Sequence, residues 1–448
     1  MKITSDIFPC GQFPKDAGIA RLLGLYPQIQ EGLWMQRIKI PGGHLTGGQW
    51  NALGDIVREF TPQTPLRLTT RQDVEIHDLL PGQVPLVQRK LSESDMTSLG
   101  ACGDTLRNIT VCPCSGVATG TVNLMPLARQ LRTVLEGMDV IYSLARKLKI
   151  SLSCSDHCGQ PWINDLGLVA RKKDNRWGFR LIGAGSLGAR SATGITIFNW
   201  LEVEDVLPLA VAAVRVFYEH GDRQNRHQAR LRHVRERLGD TEFIKLINDV
   251  FSEVKMEEQW PEVSLEETED GFSVSEILTF TNGEITAAMA EALGQLAADT
   301  NYRVRISNQH KIIVFGKSAT LLRQKLDGFS VLSKAAQIQP SIVACPGTKW
   351  CSRGLVNTND LADRIREELG HKLSADTTVC ISGCPNGCSH ARVADIGLVG
   401  CVSRKNGQRE GLFNMYTGGN MGRDDRLAEP AAKKLAVEQV INTIGESI

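Results

Sequence analysis

The chain has 448 residues, more than a single hydrophobic core normally serves, so roughly two to four packed units are expected. Apolar residues make up 42% and charged residues 23%, an ordinary balance for a globular protein. The formal net charge of +1 argues against a broad basic surface for nucleic acid and says nothing of a small basic pocket.

Met1 to Asp6 carry no apolar stretch behind a basic start, and no run approaches the ~18 apolar residues of a membrane span, so a cytoplasmic location is expected. Along the chain, Gly32 to Thr46 reads as an alternating strand, a glycine turn and a threonine cap. That cap opens a helix over Gln49 to Phe60, and a strand over Leu66 to Gln72 follows. Next come Thr110-Val-Cys-Pro113, then Cys154-x3-Cys158 ahead of Asp165-Leu-Gly-Leu-Val169, and then Gly183-Ala-Gly-Ser-Leu-Gly188. Val206 to Phe217 reads as a buried helix, and the Arg/His run from Arg223 to Arg237 as a solvated helical face. The same series then recurs: Gly271 to Thr286, a helix over Ala287 to Asp299, a strand over Arg303 to Gln309, Val343-Ala-Cys-Pro346, Cys384-x3-Cys388 with Asp395-Ile-Gly-Leu-Val399, and Gly418 to Gly422. The chain is therefore an internal duplication. The expected units are 1–92, 93–235, 269–336 and 337–448, with 236–268, rich in Glu, Lys and Asp, as the linker.

Most of the twelve cysteines fall in four tight groups: Cys112/Cys114, Cys154/Cys158, Cys345/Cys351 and Cys384/Cys388. Without an export signal, such grouping favours metal ligation over disulfides. Isolated Cys10 and Cys401 fit simple buried thiols. The second-half set, Cys345-x5-Cys351 and Cys384-x3-Cys388, is spaced more widely than zinc knuckles and is bent by Pro346, Gly347, Pro385 and Gly387. That favours a cubane iron-sulfur cluster, with zinc or packed thiols as the alternatives.

Cys345-Pro-Gly-Thr-Lys-Trp-Cys351 followed by Ile381-Ser-Gly-Cys-Pro-Asn-Gly-Cys388 resembles the cluster signature of the siroheme sulfite and nitrite reductases. Order and spacing resemble that family over nearly the whole chain. The resemblance implies an α+β fold of two ferredoxin-like strand-helix-strand modules and two mixed α/β modules, related by a pseudo-twofold axis. It implies a [4Fe-4S] cluster on Cys345, Cys351, Cys384 and Cys388, with Cys388 bridging to siroheme. It places Arg71, Arg107, Lys147 and Lys149 around the oxyanion as catalytic residues. Arg71 and Arg107, with Asn308 at the second-half position matched to Arg71, also join Cys388 in holding the cofactor. Several cationic donors are what a small oxyanion needs when its oxygens leave as water. Alternation along a strand would put Lys147 and Lys149 on one face. The family often has asparagine at the second lysine position in nitrite reductases, so Lys149 favours six-electron reduction of sulfite to sulfide. Nitrite reduction to ammonia, a precorrin-modifying sister activity and a non-catalytic electron carrier are the rivals. No flavin or nicotinamide motif is visible, so electrons are expected from ferredoxin or a flavoprotein subunit, with no nucleic-acid or membrane partner.

Three signals are read blandly. Gly183 to Gly188 spells a dinucleotide fingerprint, but the β-branched residues after it do not suit the helix that such a loop must open. His77 reads as a packed histidine. The first-half thiols read as a relic: Ala118 stands at the position of Cys351, and a C-x-C pair strains against cubane geometry. A second cluster through Cys114 is the alternative.

Overall fold

A computed structural model of the chain describes residues 12–257, 259–269, 271–336, 340–405 and 408–447, and Cys10 lies outside them. Both threonine caps form as the sequence predicts. Thr46 closes a capping box with Gln49 at the start of the helix Gly47–Phe60, and Thr286 accepts from the Met289 amide ahead of Ala287–Ala298. These two helices cross at the centre of the duplication. A Cβ on Gly47 would lie 2.7 Å from the Gly294 carbonyl, and one on Gly294 would lie 3.0 Å from the Gly47 carbonyl. Only glycine at both positions lets the backbones approach so closely.

The helices cover two small antiparallel sheets. One has the order Leu25–Pro27, Trp34–Ile38, Val74–Leu79, Leu66–Leu68 and, from the second half, Glu284–Ile285. The other has the order Val274–Thr279, Lys311–Gly316, Tyr302–Ile306. Both contribute to one apolar core, in which Trp50, Leu53 and Ile76 join Leu293, Ile306 and Val314. The ferredoxin-like halves are thus a single packed body.

Two five-stranded sheets share one topology. The first runs Thr110–Val111, Ile150–Ser153, Leu166–Lys173, Arg176–Gly183, Ile195–Glu202. The second runs Ser341–Ala344, Thr378–Ser382, Ile396–Lys405, Gln408–Thr417, Glu429–Leu435. In each, the first three strands are parallel and the last two antiparallel.

The register corrects the matching of the halves. Thr69 donates to Asp73, as Ser307 does to Lys311, both at 2.9 Å. Gln72 and His310 then both turn through positive φ, at 60° and 56°. The counterpart of Arg71 is therefore Gln309, and Asn308 matches Thr70.

The Arg/His run is a solvated face only in part: Arg223, Arg226, His227 and Arg237 are exposed. Arg230, Arg232 and His233 are buried, because Leu231–Leu238 is a short helix tucked against the first five-stranded module. The expected linker also begins inside structure: Asp240–Glu257 is a helix whose Phe243, Ile247 and Val254 enter the same core. Val206–His220 is the buried helix predicted. Among the described residues no helix is long and apolar enough to cross a membrane.

Candidate active site

The thiols of the second half sit just past the ends of adjacent parallel strands. Cys345 follows Ser341–Ala344, and Cys384 and Cys388 follow Thr378–Ser382. The Gly383 amide donates to the Cys345 sulfur at 3.1 Å, the kind of contact that favours a thiolate. Burial raises the Cys345 thiol to about 12, with Cys388 adding to the rise. Cys388 acts in the same sense on Cys351 and Cys384, so it lies within electrostatic reach of the other three. Buried thiols raised in this way, as Cys345, Cys351 and Cys384 are, need a cation to ionise together, and an iron-sulfur cluster meets that need.

Cys388 is tied to the first half. Its carbonyl accepts from the Thr70 hydroxyl at 2.8 Å, and the Thr70 carbonyl accepts from the Asn308 amide at 3.2 Å. Asn308 therefore braces the turn beside Arg71 rather than standing in for that arginine. The loop Gly183 to Gly188 abuts Gly387, with the Gly188 nitrogen 3.6 Å from where a Gly387 Cβ would be. It leads into the strand Ile195–Glu202, not a helix, so the dinucleotide geometry is absent there.

Cations converge next to this junction. Arg71 donates to Asn164 Oδ1 at 2.9 Å and to the Ile150 carbonyl at 2.8 Å, and its Nε is buried without a partner. Burial lowers Arg71 to about 9, although Asp73 opposes the shift. Lys147 and Lys149 flank Leu148, which is fully buried and bridged to Leu106. Lys147 and Lys149 on either side of that bridge are half-buried. Burial, then Arg230 and Arg107, lowers Lys147 to about 7, and burial with Lys147 and Arg71 drives Lys149 well down. Arg107 is near enough to act on these groups, but its donors go to the carbonyls of Ala101 and Gly103 at 2.8–3.0 Å. These bonds brace the loop that carries it.

Two residues of this cluster escaped sequence reasoning. Arg230 pairs with Asp165 at 2.8 Å, both side chains almost fully buried. His390 is buried in a left-handed turn with no partner for Nδ1, and burial and the charges of Lys149 and Arg71 push it well down. Its place two residues after Cys388 was the available signal. Arg230 had none, since its run looks like any charged helix. His77 packs as expected, stacked on Trp350 with ring centroids 4.4 Å apart.

Positive charge thus outweighs Asp73 and Asp165 in a buried place, which makes the site fit for anionic groups such as the carboxylates of siroheme and an oxyanion. The second half lacks this charge. The sheet registers put Gln309, Asp376 and Thr378 where the first half has Arg71, Lys147 and Lys149.

The first-half thiols are also brought together. Cys112 and Cys114 lie 3.0 Å apart, Cys114 and Cys154 3.3 Å, Cys154 and Cys158 3.4 Å. All four sulfurs fall within 4.8 Å of one another.

Comparison with known proteins agrees with this geometry. The family model described as nitrite and sulphite reductase 4Fe-4S domain matches residues 102–255 and 339–448, more than half of the chain. The nitrite/sulfite reductase ferredoxin-like half domain matches residues 26–94. The chloroplastic ferredoxin–nitrite reductase of Arabidopsis thaliana is 27% identical, over 95% of this chain and 77% of its own length. The ferredoxin–nitrite reductase of Synechococcus elongatus is 28% identical, over 92% and 85%. The solved structure of Mycobacterium tuberculosis NirA shares the fold, with a TM-score of 0.81 at 22% identity over 95% of this chain and 85% of that one. The chain belongs to the nitrite and sulphite reductase family of oxidoreductases, with siroheme and a [4Fe-4S] cluster as its cofactors.

Proposed function

We propose that this chain reduces nitrite to ammonia by six electrons supplied by a ferredoxin. In this reading Cys345, Cys351, Cys384 and Cys388 would hold the cluster, and Cys388 would couple it to siroheme. The observation that carries the reading is the set of half-buried Arg71, Lys147 and Lys149 with buried Arg230, which lies on the Cys388 side of the fold and has few carboxylates to balance it. When bound, siroheme and the cluster would relay the donor's electrons one at a time to the oxyanion. Arg71 has two donors fixed by Asn164 and Ile150, so its plane is set before an anion arrives. Lys147, held near 7, gains a proton when an anion settles beside it, and can pass that proton to a departing oxygen. Lys149, pushed well down by burial and by its cationic neighbours, gains its charge only once an anion lies beside it. The names of the curated relatives support nitrite and a ferredoxin donor.

Sulfite is the second reading, and Lys149 is the observation that favours it, because a doubled lysine suits the more highly charged anion. Anaerobic protein with a reduced viologen dye should release ammonia from nitrite faster than sulfide from sulfite at equal concentration. The reverse order would install sulfite as the substrate, and no turnover of either by protein loaded with both cofactors would refute oxyanion reduction.

A further inference from the structure

We propose that Cys112, Cys114, Cys154 and Cys158 bind one zinc ion in a closed tetrahedral site, separate from the cluster of the second half. The four sulfurs already lie within 4.8 Å of one another. A single zinc with ligands at about 2.3 Å sets its sulfurs about 3.8 Å apart, close to that arrangement. A cubane spreads its thiolates over four iron corners and needs a wider cage.

The two halves show how the cage was narrowed. Cys112 and Cys345 occupy the same place, since the sheet registers equate Thr110 with Val343. The next ligand then differs: Cys114 follows after one intervening residue, and Cys351 after five. The registers also equate Ser153 with Ser382. Cys154 therefore takes the position of Gly383, one residue nearer its strand than Cys384, and Cys158 is likewise one residue nearer than Cys388. Both changes draw the sulfurs inward. In the second half the Gly383 amide donates to the Cys345 sulfur, whereas in the first the equivalent residue brings a sulfur of its own to 3.4 Å from Cys112.

The backbone around the site is already held. Residues 117–123 are hydrogen-bonded to the segment that carries the chain into its second half: Gly120 to Thr268, Phe272 to Val117 and Asn123 to Glu266, at 2.8–2.9 Å. On the other loop, Asp156 accepts from Arg171 and Arg180 at 2.5–3.0 Å. Zinc here would brace the crossing between halves. With four protein ligands and no open position, it would be structural rather than catalytic.

The test is metal content of the anaerobically purified holoenzyme. Wild type should hold about one zinc per chain beyond the iron of siroheme and one cubane, and zinc-edge X-ray absorption should show four sulfurs at about 2.3 Å. Cys114→Ser with Cys158→Ser should lose the zinc while the siroheme absorption stays and the thermal midpoint falls. Wild type without zinc, extra iron in its place, or disulfides mapped among these cysteines would each overturn the proposal. Those wild-type results decide the matter even if the variant does not fold.

Discussion

Arg230 and Asp165 meet at 2.8 Å with side chains 8% and 0% exposed, so neither charge has water to fall back on. Asp165 also accepts from the Lys149 amide at 2.8 Å, which ties the pair to the backbone beneath the lysines. Arg230→Met should cost about 3–5 kcal/mol in urea unfolding, because a buried carboxylate is left unpaired. Arg230→Lys should recover part of that. A loss under 1 kcal/mol for the methionine variant would mean that water reaches the pair. Lys149→Asn should lower the ratio of sulfite to nitrite turnover by about tenfold, the effect of ~1.4 kcal/mol of lost anion binding, with the cofactor spectrum unchanged. An unmoved ratio would remove Lys149 as a discriminator. At this scale the thiol signature was legible because it is local, with spacing and bends written in consecutive residues. The burial of Arg230 is set by a carboxylate 65 positions away, and nothing in its own run records that.

Glu75 on the strand Val74–Leu79 shows how the elements are fixed. It accepts twice from Arg37 of the neighbouring strand, at 2.9 and 2.6 Å, and lies 3.2 Å from His77. Burial alone would raise its pKa, but Arg37 and His77 outweigh that and hold it well below its usual 4.5. A depressed carboxylate adds stability that is complete above its unfolded value and is lost as pH falls below it. Glu75→Gln should therefore be less stable than wild type by about 2–3 kcal/mol at neutral pH, and the gap should shrink below about pH 4.5. A gap independent of pH would assign the loss to packing instead. Helix caps and core periodicity were readable among the elements, as Thr46 and Thr286 show. Asp240–Glu257 was not, since its exposed face is as charged as a linker and only Phe243, Ile247 and Val254 mark the buried stripe. The equivalence of Asn308 with Arg71 failed for a related reason. A turn's register is set by the Thr69–Asp73 and Ser307–Lys311 hydrogen bonds, which the one-letter pattern does not show.

Over the whole molecule, duplication supplies two similar sheets and a shared core, and the side chains then divide the labour. The first half carries Arg71, Lys147, Lys149 and Arg230. The second carries the widely spaced thiols, and Thr70 and Asn308 join the two. The duplication was legible from the order of its markers, and the α+β class followed. The interleaving was not: Glu284–Ile285 of the second half completes the first small sheet, a long-range pairing of two residues. In the proposed reaction the first-half cations act on an oxyanion held beside the second-half cluster. The most direct test is nitrite-dependent oxidation of reduced viologen by wild type and by Lys147→Met, each loaded with siroheme and cluster. Wild type should turn over, and the variant should lose about a hundredfold or more, the range of a general acid, with an unchanged absorption spectrum. Full turnover by Lys147→Met would contradict it.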